Sequence, residues 1–221
     1  CYLNLDKTSS FKEQDILGGL DNYSSSKASA ENIFSSYFHS FFKKDNFLKL
    51  VSARAGNVIG GGDMKSNRII PDIIKSYTSN KNIILRNPKA TRPWQHVLEP
   101  LSGYLLIGHN LVNRKLKRNL LPNWNFGPEL HNCKNVETIT KLFLKRLKIK
   151  KLKIRTENRK KFHESKFLSL NINKAKKELK WKPRLTLEKT INFTADWYKK
   201  YFDRADVEKF TDNQIQLFLD N

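Results

Sequence analysis

Short apolar runs alternate with helix-periodic segments along this chain, and that alternation confines it to the α/β class. FLKLVSA (47–53), NIILR (82–86) and WNFG (124–127) have the composition of short strands. Between and around them, apolar residues recur at helical spacing. The pattern predicts helices from about Ser24 to Lys43, from near Ile70, from about Leu98 to Val112, over 135–147, over 173–180, and from about Thr186 to Phe202. Pro71 is compatible with the first turn of the second helix. On the first helix, Ala30, Phe34, Tyr37, Phe38 and Phe41 form an apolar face expected to pack inward. Residues 1–20, Gly56–Asn67 and 87–95 read as loops, the second turning at Gly60-Gly61-Gly62. LKIKKLKIR (147–155) alternates imperfectly and reads as a half-exposed strand. The chain has no internal repeat and no long linker.

With 221 residues, 38% hydrophobic content and 14 Phe, the chain is large enough to bury a sizeable core. Its net charge of +21 would by itself suggest a nucleic acid or an anionic membrane as partner. The lysines are scattered, however, and no aromatic residues interleave the run KRLKIKKLKIRTENRKK as a base-stacking platform requires. The charge is therefore read as a solvated surface, and no nucleic-acid partner is expected. Cys1 and Cys133 make neither a metal spacing nor a disulfide framework, which fits a reducing cytoplasm. No apolar run approaches the roughly 20 residues of a membrane span, so no membrane partner is expected. CYLNLDKTSS is not a signal peptide, and it lacks an initiator Met, so a fragment or processed chain is expected.

Tyr23 and Lys27 stand four residues apart, a spacing that puts both side chains on one helix face. A free tyrosine, with a pKa of about 10, is a poor base near neutrality. An ammonium beside it stabilises the phenolate, and the pair can then exchange a proton with a sugar hydroxyl. As a bare pattern this is weak, since Tyr77 and Lys81 match it too. The difference is context. Small residues, SSS and ASA, surround Tyr23 and Lys27 and allow close approach of ligands. Asn57 follows Arg54-Ala55-Gly56 at a strand end, where open α/β sheets bind ligands, although an Asn there also forms turns. Arg92, in ATRPWQHV, carries a guanidinium suited to phosphate oxygens. Arg68 and Arg86 are further candidates for the same anion, or surface charges. His96 reads as a packed or nucleotide-adjacent residue and not as a base.

DNYSSSKASAE, the R-x-x-N-V pattern ending at Asn57-Val58, and RPWQHVLEPLSGYLL together resemble the nucleotide-sugar 4,6-dehydratases of the extended short-chain dehydrogenase/reductase family. The last stretch is most like the branch that takes CDP-glucose. FHESKFLSLN resembles a nucleotide-sugar contact segment of that family, though the KIRTENRKK before it departs from the usual sequence. LNINKAKKELKWKPRLTLEKTI resembles the family's closing helix, Trp-x-Pro turn and final helix. In that closing segment Trp181 and Pro183 are read as packing residues.

The resemblance implies an incomplete Rossmann-like doubly wound sheet with a smaller α/β nucleotide-sugar-binding region. Residues 1–60 would be the C-terminal part of the dinucleotide-binding domain, carrying Tyr23 and Lys27, and 61–221 mainly the substrate region, with segments returning to the Rossmann sheet. It implies NAD as cofactor, with Tyr23 and Lys27 both catalytic and cofactor-binding. It implies Asn57, Arg68, Arg86, Arg92, His96 and His163 as substrate-binding residues, and a homodimer in the complete protein. The implied reaction converts CDP-glucose to CDP-4-keto-6-deoxyglucose for deoxysugar and surface polysaccharide synthesis. Two alternatives stay open: another nucleotide-sugar epimerase or dehydratase, and a non-enzymatic, basic polyanion-binding derivative of the fold.

No G-x-G-x-x-G spacing occurs among the nine glycines. The family also places an Asp-Lys dyad in a T-S-D-K segment just before the Cys-Tyr with which this chain begins. The expectation is thus that the chain covers the C-terminal two-thirds of a family member, and that residues 1–221 alone neither bind NAD tightly nor dehydrate the sugar.

Overall fold

Parallel strand pairs require a crossover, which the intervening helices supply, and most of the pairing here is parallel. The computed structural model of the chain describes residues 1–117, 119, 121–157 and 165–221. In order, its elements are α1 (Asn22–Tyr37, continued by a π-turn over Phe38–Phe42), β1 (Ser52–Ala55), β2 (Asn57–Ile59), α2 (Ile69–Thr78), β3 (Ile83–Leu85), β4 (Thr91–Arg92), β5 (Trp94–His96), α3 (Leu98–Val112), β6 (Asn123–Phe126), β7 (Lys134–Asn135), α4 (Val136–Arg146), β8 (Ile154–Thr156), α5 (Leu187–Phe202) and α6 (Val207–Leu219). Among the described residues, β1–β6, β2–β5 and β3–β8 are parallel pairs and β4–β7 is antiparallel. The α/β class expected from the sequence is the class observed.

Helix starts follow their caps. The side chains of Asp21, Asn135, Thr186 and Asp206 each accept a backbone N–H of the first turn, at α1, α4, α5 and α6. Capping by Asp21 starts α1 at Asn22, two residues earlier than the apolar period indicates. Three clusters form the core, the smallest being Tyr2, Phe11 and Leu170. One joins α2, α4 and α5 through Ile73, Phe143, Ala195 and Tyr198. Another packs Phe38, Ile107, Trp124, Phe126 and Trp181 around β6 and α3. Trp181, a packing residue as expected, meets Phe126 edge-on at 4.8 Å.

The inward face of α1 differs from the sequence expectation. Of the five residues assigned to it, Phe38 is buried, whereas Tyr37 is 56% and Phe41 68% exposed. The reason is a polar anchor. Glu31 receives a hydrogen bond from Arg54 at 2.7 Å and another from Ser52, both on β1. Drawing Glu31 inward turns α1 so that Ala28 and Phe38 face the core and Ile33, Tyr37 and Phe41 face out.

Other differences are local. The 47–53 run becomes a strand only from Ser52, after a single bridge between Phe47 and Lys117. The stretches 56–67 and 87–95 are not wholly loops, since they supply β2, β4 and β5. Of the 147–155 strand only Ile154 and its neighbours pair, as β8. The 173–180 helix is largely a π-turn over Ala175–Leu179, ended by Lys180 at φ 59°. Helix α6 was not foreseen. Among the described residues, no helix is long and apolar enough to cross a membrane.

Candidate active site

Tyr23 and Lys27 lie on the first turns of α1, where the spacing of four sets one above the other. The Lys27 ammonium stands 5.8 Å from the centre of the Tyr23 ring. Tyr23 is 67% exposed, and its neighbours Ser25 and Ser26 are exposed as well. The small side chains therefore leave the phenol and the ammonium open to a ligand. Arg68, at the N-cap of α2, forms an ion pair with Asp63 at 2.9 Å. That pair holds the guanidinium above its ordinary range, and Tyr23 adds a smaller electrostatic contribution. The tyrosine and Arg68 are thus in the same neighbourhood although 45 residues apart.

The β2–β5 pair brings the other motifs together. Asn57 is in register with Trp94, and Ile59 with His96. Gly56 backs onto Pro93 so closely that a Cβ would stand 2.8 Å from the proline ring. The R-x-x-N segment and the R-P-W segment therefore form one unit. Arg92 is buried on β4, and its Nη1 donates to the Thr91 carbonyl at 2.9 Å. Arg86 is exposed just beyond β3, on a different strand pair. His163 lies outside the described residues.

His96 is 3% exposed. Its Nδ1 accepts the Leu98 N–H at 3.4 Å, while its Nε2 has no hydrogen-bond partner among the described residues. The ring borders a cavity of about 60 Å³ lined by Gly61, Trp197 and Gln214. Burial lowers its pKa to about 4, so the imidazole is neutral at physiological pH. A neutral, enclosed imidazole does not act as a cation toward phosphate.

Three supporting groups escaped the sequence reading. Arg54 pairs with Glu31 and also donates to the Tyr2 hydroxyl at 2.9 Å, which in turn donates to Asn125 at 2.6 Å. Glu99, the acidic residue at the start of α3, is buried and accepts the backbone N–H groups of Arg184 and Leu185. It ties the helix after the R-P-W loop to the segment entering α5. Trp197 and Tyr198 of α5 hold the glycine turn. A charged residue with no visible partner in the sequence was the available signal for the first two.

A family model described as GDP-mannose 4,6 dehydratase matches residues 3–194. The chain is 39% identical to a CDP-glucose 4,6-dehydratase of Salmonella typhimurium, over 99% of its own length and 61% of that protein's. Among solved structures it resembles a dTDP-glucose 4,6-dehydratase of Bacillus anthracis in complex with NAD. The TM-score is 0.74 at 24% identity, covering 91% of this chain and 59% of the other. It also resembles a UDP-glucuronic acid 4-epimerase of Bacillus cereus, with a TM-score of 0.73 at 18% identity, covering 89% and 58% of the two chains. The likeness to these structures is one of fold. The chain spans about three-fifths of the length of each of these relatives.

Proposed function

The chain belongs to the GDP-mannose 4,6-dehydratase family, and from that premise we propose that the full-length protein is an NAD-dependent 4,6-dehydratase acting on CDP-glucose. The observation that carries the proposal is the Tyr23–Lys27 pair, open to solvent among small residues at the start of α1. The relative's substrate, at 39% identity, favours CDP-glucose over other nucleotide sugars.

The surface around Tyr23 and Lys27 fits the nicotinamide-ribose end of NAD, because no bulky side chain stands between the two residues along the helix. NAD, when bound, supplies the acceptor for a hydride from C4 and its return at C6. The roles of the chain's own residues follow from their chemistry. Tyr23 is assigned to take the proton of the sugar 4-hydroxyl, with Lys27 beside it on the same helix face. Asn57 and Arg92 are assigned to the nucleotide-sugar, the amide to polar contact and the guanidinium to phosphate. Arg68 is assigned to the same anion from the α2 side. Arg86, exposed on another strand pair, is a peripheral candidate for it. His96 is assigned a packing role against the glycine turn, 3.8 Å from where a Cβ at Gly60 would stand. His163 is kept as a nucleotide contact on its motif alone.

We further assign residues 1–60 to the dinucleotide-binding part and 61–221 mainly to the substrate part, with segments that return to the Rossmann sheet, as Trp124 and Phe126 do in packing with Phe38. A homodimer would cover Ile33, Tyr37 and Phe41 on α1, and two free cysteines suit the cytoplasm.

The test is to incubate the full-length protein with CDP-glucose and NAD and follow the sugar by NMR. A 4-keto-6-deoxy product is expected. Accumulation of CDP-galactose without a ketone would establish the epimerase alternative instead.

A further inference from the structure

We propose that Trp197 and Tyr198, consecutive residues of α5 outside the candidate active site, are positioning residues for nucleotide-sugar binding. They act by fixing the 60–68 loop and, through it, Arg68. The proposal rests on the reading of Arg68 as a contact to the sugar nucleotide.

The loop has little packing of its own. Met64, Lys65, Ser66, Asn67 and Arg68 are all exposed. A segment of this kind loses conformational entropy when a ligand orders it, unless something else has ordered it first. Here α5 supplies the order. The backbone of Gly61 lies against the indole of Trp197, and a Cβ at Gly61 would fall 2.1 Å from its Cγ. Gly62, at φ 78°, passes the far edge of the same indole. One residue on, the Tyr198 hydroxyl donates to the Asp63 carbonyl at 2.6 Å. The Asp63 side chain then accepts the Lys65 N–H at 3.1 Å and the Arg68 guanidinium at 2.9 Å. A continuous path of contacts thus runs from the helix to the arginine.

Both anchors are themselves immobilised. Trp197 donates from Nε1 to Thr211 of α6 at 2.9 Å and stacks on Tyr201, with ring planes 11° apart. Tyr198 is fully buried, and its ring meets Phe143 edge-on at 6.2 Å. Its hydroxyl consequently has one direction in which to point.

Tyr198→Phe removes the hydroxyl and keeps the ring. In the full-length protein, loss of that one hydrogen bond is expected to raise the KM for CDP-glucose about three- to tenfold, with kcat little changed. Arg68→Gln should also raise KM, and the double variant should be no worse than Arg68→Gln alone, because the two changes break one path. Amide hydrogen exchange supplies a readout independent of activity: residues 61–68 should exchange faster in Tyr198→Phe while α5 stays protected. An unchanged KM, or additive effects in the double variant, would overturn the proposal. If the wild-type protein does not turn over CDP-glucose, the functional reading fails separately, and unchanged exchange in 61–68 would still sink the positioning role. Should Tyr198→Phe not fold, Trp197→Phe, which withdraws part of the indole from Gly61, is read in the same two ways.

Discussion

Gly56 rests against Pro93 with no room for a side chain: a Cβ at Gly56 would stand 2.8 Å from the proline Cγ and 3.0 Å from its carbonyl oxygen. This contact locks the turn before Asn57 onto the loop that carries Arg92. Gly56→Ala must push the two apart. Overpacking of this kind costs roughly 1–3 kcal/mol. Chemical denaturation should show that loss, and CDP-glucose affinity should fall with it, since Asn57 and Arg92 move relative to each other.

Glu31 and Arg54 form a largely buried ion pair, with side chains 14% and 11% exposed. Burial opposes ionisation of Glu31, but hydrogen bonds from Arg54 and Ser52 outweigh it and hold the carboxyl below its usual 4.5. A depressed carboxylate contributes stability above its unfolded pKa and loses it as pH falls through the folded value. Glu31→Gln should therefore weaken the acid sensitivity below about pH 4.5. At neutral pH it should destabilise the fold by about 3–5 kcal/mol, because Arg54 is left buried without its counter-charge. Pairing it with Arg54→Met should recover part of that loss in urea titrations.

Burial lowers the His96 pKa from 6.5 to about 4. The unfolded chain therefore binds a proton between those values while the folded chain does not, and stability falls as pH drops through this window. Linkage puts the contribution at about 2–3 kcal/mol between pH 7 and 4.5. His96→Gln removes the titrating group. Its stability should change less over that range than that of the wild-type protein, measured as the difference in unfolding free energy at the two pH values.

Arg92→Ala should weaken CDP-glucose binding by roughly 2–5 kcal/mol if the guanidinium pairs with a desolvated phosphate. NAD binding should be nearly unaffected. Calorimetry on the full-length protein measures both. Unchanged sugar-nucleotide affinity would remove Arg92 from the site.

Much of this arrangement was legible in the sequence because it depends on local chemistry. The ends of α3 follow from an apolar block between His96 and Asn113, and the spacing of Tyr23 and Lys27 follows from helix geometry alone. What the sequence concealed is set by distant partners. The rotation of α1 depends on Arg54, 23 residues beyond Glu31, so hydrophobic period selected the wrong face. Asn57 and Trp94 become neighbours through a parallel pair whose register no local signal reports. The role of Trp197 was invisible because its counterpart is a glycine, which offers no side chain to read. Helix α6 begins at an Asp206 cap with a weaker apolar period than α5, and its packing on Trp197 appears only in three dimensions.

The central claim is that Tyr23, and not the other tyrosine of the same spacing, moves the proton. Tyr77 is 44% exposed and packs edge-on against Phe202 at the C-terminal end of α2. The most direct measurement is turnover of CDP-glucose by the full-length protein carrying Tyr23→Phe or Tyr77→Phe. Loss of an acid–base group predicts that Tyr23→Phe lowers kcat by about 10²–10⁴-fold, while Tyr77→Phe stays close to wild type. Equal effects of the two substitutions, or an active Tyr23→Phe protein, would contradict the account.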